Sequence, residues 1–241
     1  MTQAKELAAK KATAVAEFDP SMFEADAGQG MENPILDENE AARKGDIYNT
    51  VTGMVYKGKD GVRVIPCSYQ RRFIQWAPRG SGSGAPTAIY EPGDTRPETE
   101  RSSDDNKDYV ADGSGEYIEE THQHFVLLVG ENGGVETALI AMKSTQLKKS
   151  RKWNSMMASR SMQGANGAFT PPRFSHIYHL KTVSEENSKG SWHGWEMSCE
   201  GPISEASLYG QAKAFAGSIT SGDVVVKHTE NEDSGGSKIP F

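Results

Sequence analysis

From position 46 the chain changes to runs in which β-branched and aromatic residues alternate with polar ones. DIYNTVTGMVY and GVRVIPCSYQRRFIQW have this composition, and KGKDG between them has turn chemistry, so the pair predicts a hairpin. EYIEETHQHFVLLVG and GVETALIAMK form a second pair, joined by ENGG with Asn-Gly at its tip. RFSHIYHLKTV and SWHGWEMSCEG form a third, around a loop at SEENSKG. Two stretches depart from the period of two. STQLKKSRKWNSMMASR spaces its apolar positions as a helix does, with Ser144 or Thr145 as cap, and SEASLYGQAKAFAGSI follows Pro202 in the same manner. GDVVVKH reads as a last strand. Six or seven strands with two helices predict a mainly β domain, an OB-like antiparallel barrel, over residues 45–228.

The flanks read differently. Residues 1–44 are rich in Ala, Glu, Asp and Lys, with a short helix over 4–18 stopped by Pro20, and predict a flexible acidic arm. Residues 77–115 carry glycine, proline and acidic clusters, and predict a long mobile loop with one short strand at TAIY. Residues 229–241 predict a disordered acidic tail with an apolar tip. The 241 residues therefore suffice for one domain with tails. No window approaches the roughly 18 to 20 apolar residues of a membrane span, and no export signal opens the chain, so a cytoplasmic protein without membrane partners is expected. Cys67 and Cys199 each lie in a strand-like run and read as core thiols.

Charge changes the picture. The formal net charge is −7, which alone speaks against a nucleic-acid partner. Between Glu136 and Glu185, however, there is no Asp or Glu, while Lys143, Lys148, Lys149, Arg151, Lys152, Arg160, Arg173 and Lys181 all fall there. A segment of +8 in a chain of −7 leaves −15 on the rest, and the local potential decides which anion docks. On a helix over 145–160, Trp153, Met157, Ser150, Asn154, Leu147 and Ala158 share one arc, and Lys148, Lys149, Arg151, Lys152 and Arg160 the other. Solvated helix faces usually mix signs, because like charges four apart repel. A face of cations alone points to a polyanion.

In SYQRRFIQW, Arg71 and Arg72 are interleaved with Tyr69, Phe73 and Trp76. Single strands need this mixture, because cations neutralise phosphates while aromatic faces stack on bases, each stack contributing roughly 1 to 3 kcal/mol. Alternation sets Tyr69, Arg71 and Phe73 on one strand face and Arg72, Ile74 and Trp76 on the other, and core packing is the competing use of either face. Trp153 and Arg173 complete the candidate DNA-binding set with Lys143 and the basic helix.

Enzyme signatures are missing. No phosphate-binding glycine loop, dinucleotide fingerprint or nucleophile elbow occurs, so no catalytic residue is assigned and no enzyme is expected. His122 and His124 share a strand face with Glu120, but their spacing matches no recognised metal pattern, and neither metal nor cofactor is expected.

The terminus IPF, Ile239, Pro240 and Phe241, follows a Gly/Ser linker and the acids Glu230, Glu232 and Asp233, which is the composition of a short peptide ligand for an apolar pocket ringed by cations. These three residues resemble the end of bacterial single-stranded DNA-binding proteins, and the overall plan is similar to that of the acidic-tailed single-stranded DNA-binding proteins of tailed bacteriophages. GDIYNTVTG, RRFIQWAPR and KSTQLKKSRKWNSMM also resemble phage-encoded proteins of similar length. The tail departs from the family pattern in placing Lys238 where acids are usual. The resemblance implies a phage protein of the host-cell cytoplasm, acting in DNA replication or recombination. It would bind single-stranded DNA and recruit replication or repair proteins through its tip; a homo-oligomer is compatible with this. A strand-annealing recombination protein and a virion or scaffold component are the alternatives.

Overall fold

The computed structural model describes residues 42–224 apart from 79, 82, 83 and 189. The predicted N-terminal arm and its helix, the C-terminal tail with its Ile-Pro-Phe tip, and most of GDVVVKH lie outside the described residues; the part of GDVVVKH that is described, residues 222–224, is not strand.

In chain order the elements are β1 (Ile47–Tyr48), β2 (Val55–Tyr56), β3 (Val62–Trp76), β4 (Ala88–Tyr90), β5 (Thr99–Arg101), β6 (Asp108–Val110), β7 (Tyr117–Val129) and β8 (Val135–Lys143). They are followed by helix α1 (Gln146–Ala158), β9 (Met162–Gly164), β10 (Gly167–Phe169), a 3-10 turn (Arg173–Ser175), β11 (His176–Asn187), β12 (Gly190–Pro202) and helix α2 (Ala206–Thr220). Eight strands form one sheet in the order β12-β11-β3-β7-β6-β5, with β4 added to β3 and β8 to β7. As expected, the protein is mainly β with two helices, and the antiparallel sheet curls strongly into a half-barrel.

The second and third predicted hairpins form as β7–β8 and β11–β12. The first does not. β3 pairs with β11, β4 and β7, while β1 pairs with β2 inside DIYNTVTGMVY. Asn49 closes the β1–β2 turn, its side-chain oxygen accepting hydrogen bonds from the backbone N–H of Val51 (2.9 Å) and Thr52 (3.3 Å). The turn read at KGKDG also forms, with the Asp60 and Gly61 N–H donating to the Lys57 carbonyl, but β2 and β3 do not pair across it. The acidic stretch 77–115 also holds more structure than expected, since β5 and β6 pair there besides β4. The GANGAFTPP break likewise holds the β9–β10 hairpin.

Pro66 lies within a central strand, where it cannot donate to the ladder. The register shifts between Pro66 and Ser68, so that Cys67 is the additional residue of a bulge. One consequence is that the two halves of β3 exchange faces. Val64 packs with Val126, Met142, Tyr178, Trp153 and Met157 under α1. Ile65 and Cys67 pack on the opposite face with Leu127 and with Leu208, Ala212 and Ala216 of α2. Neither cysteine forms a disulfide, and burial pushes the Cys67 thiol up to about 12. A third cluster, Ile74, Trp76 and Tyr117, closes the far end of the β3–β7 pair.

On the packing arc of α1, Ser150, Trp153 and Met157 are buried and Leu147 and Asn154 half-buried, as expected, whereas Ala158 is exposed at the end of the helix. Thr145 stands at the N-cap, but its hydroxyl makes no capping bond, and Ser144 at φ +49 turns the chain out of β8 into the helix. The helix ends at Ala158, so Arg160 lies beyond it. No described helix is long and apolar enough to cross a membrane.

Candidate nucleic-acid interface

After the bulge, the β3–β7 register sets Tyr69 opposite His124, Arg71 opposite His122 and Phe73 opposite Glu120. This is the face that α1 covers, and it carries a continuous polar chain. The Arg71 Nε donates to Glu120 Oε1 at 2.8 Å, and the same oxygen lies 2.9 Å from His122 Nε2. His122 Nδ1 and His124 Nε2 each lie 2.7 Å from the Ser150 hydroxyl of α1. Glu120 can only accept, so His122 donates from Nε2 and accepts the Ser150 proton at Nδ1. His124 must then donate from Nε2 to the Ser150 oxygen. That assignment leaves His124 Nδ1 as a bare lone pair, and Nδ1 is indeed buried without a hydrogen-bond partner among the described residues.

Burial works to raise the Glu120 pKa, but hydrogen bonds from Arg71 and His122 outweigh it and hold the carboxyl below its ordinary range. Burial lowers His122, against the opposing pull of Glu120. His124 is pushed down to about 3, by burial first and then by the charges of Arg173 and His122. Although the order Glu-His-Ser has the connectivity of an activated nucleophile, Ser150 is fully buried and its second side is taken by His124, so the hydroxyl is closed to a substrate. The two imidazoles are spent on Ser150 and Glu120, and among the described residues no three metal-ligating side chains converge.

A pH dependence follows from His124. Below its ordinary value of about 6.5 the unfolded chain takes up a proton that the folded protein refuses down to about pH 3, so stability falls as pH is lowered through that window. The slope from this one group is about 1.4 kcal/mol per pH unit, or about 2 kcal/mol between pH 6.5 and 5. Melting curves at pH 6.5, 5.75 and 5 are expected to show this loss in the native protein. A shallower loss is expected in His124→Gln, which keeps a donor for Ser150 and cannot titrate.

Above this chain lies the exposed part of the face. The Tyr69 ring meets His122 edge-on at 5.4 Å and His124 at 5.1 Å, and the Arg173 guanidinium lies over it at 5.4 Å. Burial raises the Tyr69 phenol, the charges of Arg71, Arg173 and Arg151 oppose this, and Glu120 adds to it. The charges of three guanidiniums, from β3, the 3-10 turn and α1, thus reach one half-buried tyrosine, and that of Arg173 lies over its ring. Arg173 donates to Asn154 Oδ1 at 2.8 Å, has its pKa lowered by burial, and has no ion-pair partner among the described residues. Next along β3, the guanidinium carbon of Arg71 lies 4.8 Å from the Phe73 ring centroid and that of Arg96 3.4 Å. Arg96 was not singled out from the sequence: an arginine among the acids and prolines of this stretch carries no local signal.

The remaining predicted residues go elsewhere. Trp76 and Trp153 are buried in the core. Arg72 lies on the opposite face with Glu91 at 3.0 Å, and Lys143 pairs with Glu119 at 3.3 Å. Arg160 donates to the Tyr178 hydroxyl at 2.9 Å. Lys149 pairs with Glu185 of β11, Lys148 also acts on that carboxylate, and Lys152 acts on Glu196 of β12, which pairs with Lys181 at 2.8 Å. The cationic arc of α1 is therefore divided: Lys149 pairs with the β11–β12 hairpin and the charges of Lys148 and Lys152 reach its carboxylates, while the charge of Arg151 reaches Tyr69.

Fold and surface together define a curled β-sheet protein whose helix-covered face opens on an arginine–aromatic strip. A family model described as Pam3 phage gp34-like protein matches residues 34–225. The chain belongs to this bacteriophage protein family. Comparison with curated proteins and with solved structures finds no match to either.

Proposed function

We propose that this phage protein binds single-stranded DNA without marked sequence preference and serves phage DNA replication or recombination in the cytoplasm of the host cell. The Arg173 guanidinium over Tyr69 at 5.4 Å and the Arg71 guanidinium over Phe73 at 4.8 Å, with the charge of Arg151 also reaching Tyr69, carry the reading. Cations drawn from β3, the 3-10 turn and α1 form a positive surface that a phosphate backbone neutralises. Arg96 and Phe73 extend the strip by one further cation and one further ring, giving the alternation of charge and aromatic surface that unpaired strands use. In this reading the protein is a coat rather than an enzyme, and the tail ending in Ile239, Pro240 and Phe241 recruits replication or repair proteins.

Anisotropy titration of labelled single- and double-stranded oligonucleotides at two salt concentrations tests it. Single strands are expected to bind more tightly than duplex. Four arginines on phosphates give a slope of log affinity against log salt of roughly −3. A flat salt response, or no binding of either form, overturns the reading.

A further inference from the structure

On the far side of β7 the sheet ends at β8. Among the described residues β8 pairs with β7 alone, so no described strand covers its outer backbone edge along its nine residues. Its charged residues, Glu136 and Lys143, stand toward the two ends, and the six residues between them carry none of the charge or proline that usually guards such an edge. Around this edge runs a groove of ≈ 700 Å³. It is lined on one face of β8 by Tyr56 and Trp195, and on the other by Phe125 and Phe215, so both faces of the edge strand look into apolar walls. The rim is exposed: Val51 to 91%, Tyr48 to 46% and Leu139 to 38%. The β1–β2 hairpin is held against the edge by Asn49, whose amide donates to Glu136 at 2.9 Å.

Val224, the last described residue, is itself part of this lining. The chain thus enters the groove at the point where Val225, Val226, Lys227, His228 and Thr229 follow. We infer that residues 225–229 of the same chain dock along the open edge of β8 as an added strand. Two successive valines suit an extended backbone, and on a strand they point to opposite faces, matching a groove with apolar walls on both sides of the edge. Five residues span roughly 16 Å, about half the length of β8, so the segment reaches the uncharged middle of the edge from Val224 without a further connection. Main-chain hydrogen bonds supply the pairing and the valines fill the groove, the arrangement of strand addition in general. The acidic residues that begin at Glu230 then leave the domain from the β8 edge.

Hydrogen exchange of the full-length protein, read at residues 137–141 of β8, is the test. In the native chain, alternate amides of this stretch are expected to exchange at least tenfold more slowly than in Val225→Pro/Val226→Pro, and the protection is expected to be the same at low and high protein concentration. Loss of protection in the double variant, with the exchange of β3 and β7 unchanged, supports cis pairing and shows that the variant is folded. Equal β8 rates in the two proteins overturn the inference. Protection that appears only as concentration rises, with sedimentation showing a dimer, also overturns it and assigns the edge to a second copy of the chain.

Discussion

Replacing Trp153 by alanine is expected to lower the stability of the protein by about 3 to 5 kcal/mol, enough to remove much or all of the folded population of an ordinary domain. Trp153 is fully buried and joins the two halves of the α1 core. Its ring stacks on His124 at 4.7 Å and meets Tyr178 edge-on at 5.9 Å, within a cluster that also holds Val64, Val126 and Met142. Alanine leaves a cavity beneath α1 and unseats the imidazole that shares Ser150 with His122. Phenylalanine makes the contrasting variant. The indole Nε1 is buried without a hydrogen-bond partner among the described residues, so removing it strands nothing, and Trp153→Phe is expected to cost no more than about 1.5 kcal/mol. Urea midpoints of the three proteins measure the difference. Because the ring lies in the core, the folded fraction of either variant is expected to bind oligonucleotides as the native protein does. A selective loss of binding in a stable Trp153→Phe would show instead that the indole meets the strand.

The second large effect concerns the surface. The triple variant Arg71→Ala/Arg151→Ala/Arg173→Ala is expected to weaken binding of every single-stranded sequence by about a hundredfold at low salt, as the loss of three charge-assisted phosphate contacts implies. The salt slope should become shallower by about 2. Lys148→Ala/Lys152→Ala removes two cations from the same helix and is expected to change affinity less than threefold, because Glu185 and Glu196 already oppose their field. Oligonucleotide titrations of both variants, alongside melting curves to confirm folding, decide between the arginine strip and the lysine side of α1. If the lysine pair causes the larger loss, the site lies along α1 and the β11–β12 hairpin.

Much of the strand pattern was legible because alternation is a local property. The pairs β7–β8 and β11–β12 needed only a turn and two matching runs, and both helices needed only their apolar spacing. The first hairpin was misread because two turns form within fifteen residues, and β2 pairs back on β1 across the Asn49 turn while β3 takes its partners from elsewhere in the chain. The length of β3 was legible in the run GVRVIPCSYQRRFIQW, but its three partners were not, since β11 joins it from more than a hundred residues away. The bulge at Cys67 was not read from the sequence, although Pro66, which a central strand accommodates in few other ways, is a local signal for it.

For the candidate site, residue types were visible and their grouping was not. The composition of 137–184 showed cations without acids, and SYQRRFIQW showed arginine beside aromatic rings. Which of these share a surface depends on where distant carboxylates arrive. Glu185, Glu196, Glu91 and Glu119 come from other parts of the chain to meet Lys149, Lys181, Arg72 and Lys143. Arg96 is brought over Phe73 from the acidic stretch. By itself the sequence determined the periodicities, the segregation of charge and the two faces of the β3 strand, because these follow from side-chain spacing along a regular backbone. Only the tertiary structure decided which face α1 covers, which cations keep their charge unopposed and which aromatic rings stay in reach of solvent. Those outcomes depend on through-space contacts between segments that the chain order does not relate.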